Sequence, residues 1–356
     1  MNLSRTVTIF KQIRRFAHTM NSSKLIYREY GDPLSVVEKI DATIPLVQAN
    51  QLLVKMLAAP VNPADINTIQ GKYPSKPTLP AIPGNEGVGE VVQIGTQVTN
   101  FSIGDRVVPM TTMVGTWQSH TILEAVEAFK VPADLGLVEA STLTVNPCTA
   151  YRMLVDFGGL TRGDVVIQNG GNSACGQNVI QLCKIWGYQN ISIIRDRPKV
   201  SELKKFLLKL GASHVMTEEE LRTTQIFKNR EVPRPKLALN CVGGKSATEL
   251  MRTLEHSGTI VTYGGMSREP VTVGTAMLIF KNLQVRGFWM TDWSKKHAKS
   301  PERRQMLEEL VEFMRSKKLK GPVAKMVHFD NYKEALTNTL SDRGMTGLKY
   351  IINFSK

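Results

Sequence analysis

The chain has no apolar run approaching the ~18 residues of a membrane-spanning helix, so nothing in it reads as a transmembrane segment. Cysteine is scarce: Cys148, Cys175, Cys183 and Cys241 form no CxxC pair and no zinc-ligand spacing. That argues against a disulfide framework or a zinc ribbon and for reduced thiols in or near a core. There is no internal repeat and no low-complexity linker, which excludes solenoid and propeller architectures. Acid is missing from the beginning, where Arg5, Lys11, Arg14, Arg15, Lys24 and Arg28 all precede the first carboxylate, Glu29. An arginine-bearing, acid-free segment with Leu3, Val7, Phe10, Ile13 and Phe16 spaced amphipathically is what a mitochondrial transit peptide looks like, and one is expected over 1–22. A disordered basic tail is the alternative.

What is present suits an enzyme-sized chain. At 356 residues two domains are expected, and a hydrophobic fraction of 42% fills a normal core. The formal net charge is +14, of which six charges are the basic residues before Glu29, leaving +8 for the rest. A basic nucleic-acid-binding protein would carry such a charge. Yet Lys and Arg are spread along the chain without an RNP-like aromatic motif, and a solvated surface or one that attracts anionic phosphates accounts for them equally well.

The most informative stretch runs from Val165 to Arg197. An apolar run at Val165–Ile167 enters a Gly/Asn/Ser turn, a helical pattern follows through Val179, Ile180, Leu182, Cys183 and Trp186, and a β-branched run ends in Arg195-Asp196-Arg197. Such a β-turn-α-β unit offers backbone N–H groups at a helix N-terminus to a pyrophosphate. An acid alone at the end of the second strand would accept hydrogen bonds from a ribose 2′-OH, whereas two arginines flanking an acid grip a 2′-phosphate. The cofactor is therefore read as NADPH. The glycine pattern, Gly170-Gly171 then Gly176, is not a clean GxGxxG, so the βαβ context carries the assignment.

Before this unit the signals are short and β-like: LLVKMLAAPV from Leu52, GVGEVVQIG from Gly87 and DRVVPM from Asp105. Between them five prolines from Pro63 to Pro83 predict a long rigid loop, a place to mount a functional side chain. After Arg197 the pattern alternates: a helix over Val200–Leu210, strands at His214–Met216 and KLALNCVGG, a helix over Ala247–Leu254, then strands TIVTYGG and LQVRGFWM. Alternation of this kind predicts a doubly wound parallel sheet. Ser300 and Pro301 open a further helix with Lys317 and Lys318 in its last turn, and the closing KYIINF run could return as a strand to the first domain.

The order VNPADIN, GKYP, PGNEGVGEV, GDRVV, VNPCTAYRML, IIRDRP, YGGM and GFWM resembles the medium-chain dehydrogenase/reductase superfamily, and within it the mitochondrial 2-enoyl thioester reductases. The resemblance implies an α/β chain: a GroES-like β-rich catalytic domain (23–145 and 320–356) beside a Rossmann NADP-binding domain (146–319). It implies NADPH-dependent reduction of enoyl-CoA or enoyl-acyl-carrier-protein in mitochondrial fatty acid synthesis, in the matrix, by a homodimer. Zinc alcohol dehydrogenases of the superfamily carry Gly-His-Glu where this chain has Gly84-Asn85-Glu86, and they add a four-cysteine cluster, so no zinc site is expected.

The resemblance also implies roles. Tyr73, in GKYP, would be the proton donor or orienting acid. Asn146 would lie near the nicotinamide, Asn172, Ser173, Ala174 and Cys175 would line the pyrophosphate turn, and Arg195, Asp196 and Arg197 would hold the 2′-phosphate end. Tyr263, Gly264, Gly265 and Met266 would close the next strand at the cofactor edge, Phe288, Trp289 and Met290 would approach the nicotinamide and acyl groove, and Lys349 would join the cofactor set. Ala174-Cys175 stand where a small glycine-containing pair is usual. An NADPH:quinone reductase of the same fold is the near alternative.

Overall fold

The computed structural model describes residues 22–44, 46–340 and 348–355, without the side chain of residue 340. The leader expected over 1–22 lies outside them except for Ser22, the first residue of β1. Strands β1 (Ser22–Tyr27) and β2 (Val37–Ala42) pair antiparallel as a two-stranded sheet. Five more, β3 (Gln51–Pro60), β4 (Val88–Ile94), β5 (Arg106–Pro109), β6 (His120–Glu124) and β7 (Ala128–Lys130), belong to a seven-stranded sheet. β3 is its spine, antiparallel to both β4 and β6. Its burial is nearly continuous rather than alternating, because both faces are covered.

The second sheet is all parallel, built from β8 (Val165–Asn169), β9 (Gln189–Ile194), β10 (His214–Thr217), β11 (Leu237–Asn240), β12 (Thr259–Thr262) and β13 (Gln284–Gly287). Its order, β10-β9-β8-β11-β12-β13, reverses direction at β8. In an open α/β sheet a crevice for ligands opens at the carboxyl ends of the strands beside that reversal. The chain then returns: β14 (Ala324–His328) runs parallel to β15 (Lys349–Asn353), and β15 joins β3 antiparallel with Ile351 opposite Pro60. This otherwise antiparallel sheet thus contains one parallel pair, since the connection from β14 to β15 crosses over through a helix.

Four local expectations are corrected. The proline-rich segment opens with a helix, α1 (Pro63–Ile69), because Asn62 precedes a proline in the first turn and the Asp65 carboxylate accepts the Asn62 N–H at 2.8 Å. The TIVTYGG strand ends at Thr262, before Tyr263. β13 ends at Gly287, so Phe288 and Trp289 form a corner and Met290 begins a helix, α2 (Met290–Lys296). The helix α3 (Pro301–Arg315) is capped by Ser300, whose Oγ accepts the Glu302 N–H, but it stops at Arg315, leaving Lys317 and Lys318 beyond it. All four cysteines are buried and free. Among the described residues no helix is long and apolar enough to cross a membrane.

Candidate active site

A cleft of about 550 Å³ lies between the sheets, walled by Val61, Pro63 and Leu348–Tyr350 on one side and by the β8, β9 and β11 ends on the other. Of the residues expected to hold a cofactor, Asn172, Ser173, Ala174, Arg195, Arg197, Met266 and Lys349 line it. The remaining expected residues do not line this cavity.

The floor is the turn after β8 and the helix Ala174–Trp186 that follows. Ser173 caps this helix, its Oγ accepting the Gly176 N–H at 3.0 Å, while the amides of Ala174 and Cys175 belong to the first turn, where a helix has no acceptors of its own. Gly170 has φ +61, and a Cβ there would stand 2.5 Å from Cys241 Sγ. The Gly176 position is equally closed, with a virtual Cβ 2.6 Å from Gly170 O. The glycines therefore do the work of the clean fingerprint despite their irregular spacing. The Cys175 side chain points into the core, so only its backbone can serve a ligand; burial pushes its thiol up to about 12. Tyr263 Oη is buried against the same thiol and that of Cys241, and burial, then those neighbours, hold the phenol well above its usual value. Tyr263 is thus a packing residue beneath the turn. Gly264 lies against the Cys241 backbone, Gly265 has open space beside it, and exposed Met266 reaches the cleft.

At the end of β9, Arg195 and Asp196 are exposed and Arg197 is half-buried; Asp196 Oδ1 accepts the Arg197 N–H at 2.9 Å. Two guanidinium groups beside one cleft wall, with Asp196 folded onto its own backbone, suit a phosphate monoester better than a diol.

Tyr73 hangs from the end of α1, its N–H bonded to Asn67 O at 3.1 Å. Its Oη accepts the Trp289 Nε1–H at 2.7 Å, and the rings meet edge to face with centroids 5.8 Å apart. Phe288 instead stacks edge-on against Phe157 at 6.0 Å, and Met290 is buried, so of GFWM only the tryptophan faces the tyrosine.

A second cluster, mostly buried and meeting the cleft at Lys349, was not foreseen. Asn62, between β3 and α1, donates Nδ2–H to Glu86 Oε1 at 2.8 Å, and its Oδ1 accepts from Lys349 Nζ and, at 3.4 Å, from Asn146 Nδ2. Glu86 Oε2 accepts the Val145 N–H at 3.0 Å, and Asp65 Oδ1 accepts Asn85 Nδ2–H at 2.6 Å. Burial raises the Glu86 carboxyl to about 7 against the pull of Lys349, and raises Asp65 to about 6. Burial likewise lowers the Lys349 ammonium, opposed by both acids. Two buried acids sharing one base titrate as a unit. Asn85, in the place of the zinc enzymes' histidine, spends its amide on Asp65 and its oxygen on the Met113 N–H at 3.0 Å, so this donor set does not fit zinc. Asn62-Pro63-Ala64-Asp65 is a helix-start signature that could have exposed part of this cluster in the sequence.

Comparison with known proteins agrees in its separate parts. The alcohol dehydrogenase GroES-like domain matches residues 48–133, and the family described as zinc-binding dehydrogenase matches 174–314. The human mitochondrial enoyl-acyl-carrier-protein reductase is 47% identical over 88% of this chain and 84% of its own length. The Arabidopsis thaliana protein of the same name is 41% identical over 96% and 91%. The solved complex of Etr1p with NADP and crotonyl-CoA superposes with a TM-score of 0.87 at 34% identity, covering 94% of this chain and all of that one.

Proposed function

The chain belongs to the mitochondrial enoyl-acyl-carrier-protein reductases, and from that premise we propose that its cleft reduces trans-2-enoyl thioesters with NADPH, Tyr73 delivering the proton. It is a mitochondrial oxidoreductase, as the relatives' names have it. Bound NADPH supplies the hydride for the β-carbon of the enoyl group. The protein's own part is to hold the cofactor and complete the reaction. The first-turn amides of Ala174 and Cys175 would meet the pyrophosphate, Arg195 and Arg197 the 2′-phosphate, and Asn146 and Lys349 the nicotinamide half. The Tyr73 hydroxyl gives its proton to the α-carbon, leaving a saturated acyl thioester.

The observation that carries this reading is the contact of Tyr73 with Trp289, which brings the proton donor to the corner that follows β13. The division into residues 23–145 with 320–356 for the catalytic part and 146–319 for the nucleotide part remains our proposal, as does a homodimer. For the dimer, β13 is an edge strand exposed along its length, and Ile279 and Phe280 beside it are 65% and 76% exposed. A solved relative, the Etr1p/Etr2p pair from Candida tropicalis, is a heterodimer.

The test is NADPH oxidation by purified protein given trans-2-enoyl-CoAs of increasing length, with NADH and a small quinone in parallel. Turnover on enoyl-CoA with NADPH supports the reading. Turnover on the quinone alone overturns it in favour of a quinone reductase.

A further inference from the structure

Asn62 is 3% exposed and does not line the cleft, although its neighbours Val61 and Pro63 do. Its side chain nevertheless reaches three separate segments of the fold, and its backbone a fourth. Through Nδ2 it is tied to Glu86, which precedes β4 and itself holds the Val145 N–H before the helix Asn146–Asp156. Through Oδ1 it receives Lys349, the first residue of β15, and Asn146, the first residue of that helix. Its own backbone opens α1, whose far end carries Tyr73.

An amide has two ends of opposite character, and an Asn that donated and accepted equally well in either orientation would fix nothing. Here the orientation is decided. The Lys349 ammonium can only donate and the Asn146 Nδ2–H donates to the same atom, so Oδ1 must face them both, which leaves Nδ2 for the Glu86 oxygen. With Oδ1 accepting from its Nδ2, the Asn146 side chain is turned by the same choice. A buried polar network specifies one geometry when its members are mutually satisfied.

We propose that Asn62 is a positioning residue: set between Glu86 and Lys349, it holds the Asn146 amide and the Lys349 ammonium together and registers both against the helix whose end ties down the Tyr73 loop. This rests on the reductase reading given above, in which Asn146 and Lys349 serve the nicotinamide half. The spacing of proton donor from hydride donor is then governed by a side chain that touches neither.

The experiment is a double-mutant cycle on the full-length enzyme, read as kcat with NADPH and crotonyl-CoA at saturation, with circular dichroism to verify folding. Asn62→Ala and Asn146→Ala are each expected to lower kcat on the order of 10²-fold, the usual consequence of a small misplacement near the chemistry. Because Asn62 acts through Asn146, the double variant is expected to fall no further than the worse single one. Losses that multiply, or an Asn62→Ala enzyme with wild-type kcat, overturn the proposal. Should Asn62→Ala fail to fold, Asn62→Asp keeps acceptor oxygens for Asn146 and Lys349 but replaces the donor to Glu86 with a second buried acid oxygen, which faces Glu86 only through a shared proton; the same non-additivity with Asn146→Ala is expected, and its absence counts equally against the idea. Wild-type protein that never oxidises NADPH with crotonyl-CoA sinks the reductase reading itself, whereas multiplying losses in an active enzyme sink only the role of Asn62.

Discussion

Trp289 donates its indole N–H to the Tyr73 oxygen at 2.7 Å, across 216 residues of sequence. The direction of this bond matters. An oxygen that already accepts the indole N–H keeps its own proton for another partner, and the donor stays in place for the charge left once the proton has gone. Tyr73→Phe is therefore expected to lower turnover of crotonyl-CoA by roughly 10²–10⁴-fold, as for loss of a general acid, with NADPH binding unchanged by fluorescence titration. Trp289→Phe keeps the ring and removes one neutral hydrogen bond, so a smaller loss of about five- to tenfold is expected, corresponding to about 1 kcal/mol. Equal losses for the two variants would mean that the tryptophan does more than support the hydroxyl.

Arg195 and Arg197 line one cleft wall, and in the proposed function they would address the one group that distinguishes NADPH from NADH. Each charge-assisted bond is worth about 1.5–3 kcal/mol, so replacing both by Ala is expected to raise KM for NADPH on the order of 10²- to 10⁴-fold. KM for NADH should move little. Equal increases for both cofactors would assign the arginines to something other than the 2′-phosphate.

The doubly wound half was legible because its signals are local. β8, the helix Ala174–Trp186 and β9 each announce themselves by a run of like periodicity, and the helix Val200–Leu210 falls where the spacing of its apolar residues puts it. The Asn62 cluster was not legible, because Asn62, Glu86, Asn146 and Lys349 come together only when β15 closes onto β3, and each taken singly looks like an ordinary polar residue. α1 was hidden for a different reason. The prolines after Tyr73 do mark a loop, but Pro63 sits in the first turn of α1, where proline favours a helix. Tyr263 went the other way: its place at a strand end suggested the cleft, but its hydroxyl turns inward to two thiols.

The exposed strip on β13 and the preceding segment gives a separable prediction. Phe280 at 76%, Ile279 at 65%, Leu278 at 46% and Val285 at 41% exposure form a run of apolar surface beside an unpaired strand edge. In a homodimer through this edge, Phe280→Asp places a charge in the interface and should shift micromolar protein from dimer to monomer in sedimentation velocity, with folding intact. A variant that sediments as the wild type does would locate the interface elsewhere.

Glu86 makes stability depend on pH in an unusual sense. Its carboxyl is raised from 4.5 to about 7 by burial, with Lys349, Asp65 and the Cys148 thiol as the charged or titratable groups that act on it or feel it. A raised acid binds its proton more tightly folded than unfolded. Its contribution is therefore fully present below the unfolded value and is lost as pH climbs through about 7, the opposite of a salt-bridged surface carboxylate. Glu86→Gln removes this titration while keeping one acceptor for Asn62. The variant should lie only slightly below wild type at pH 5, by the cost of facing the Val145 N–H with an amide nitrogen, and because wild type alone loses stability as its acid ionises through about 7, the gap should narrow and shift in the variant's favour toward pH 8.5. Melting curves at half-unit pH steps read the slope directly; a gap that widens with rising pH would show that Glu86 is held as a stabilised carboxylate by Lys349 and that attraction, not burial, governs the cluster.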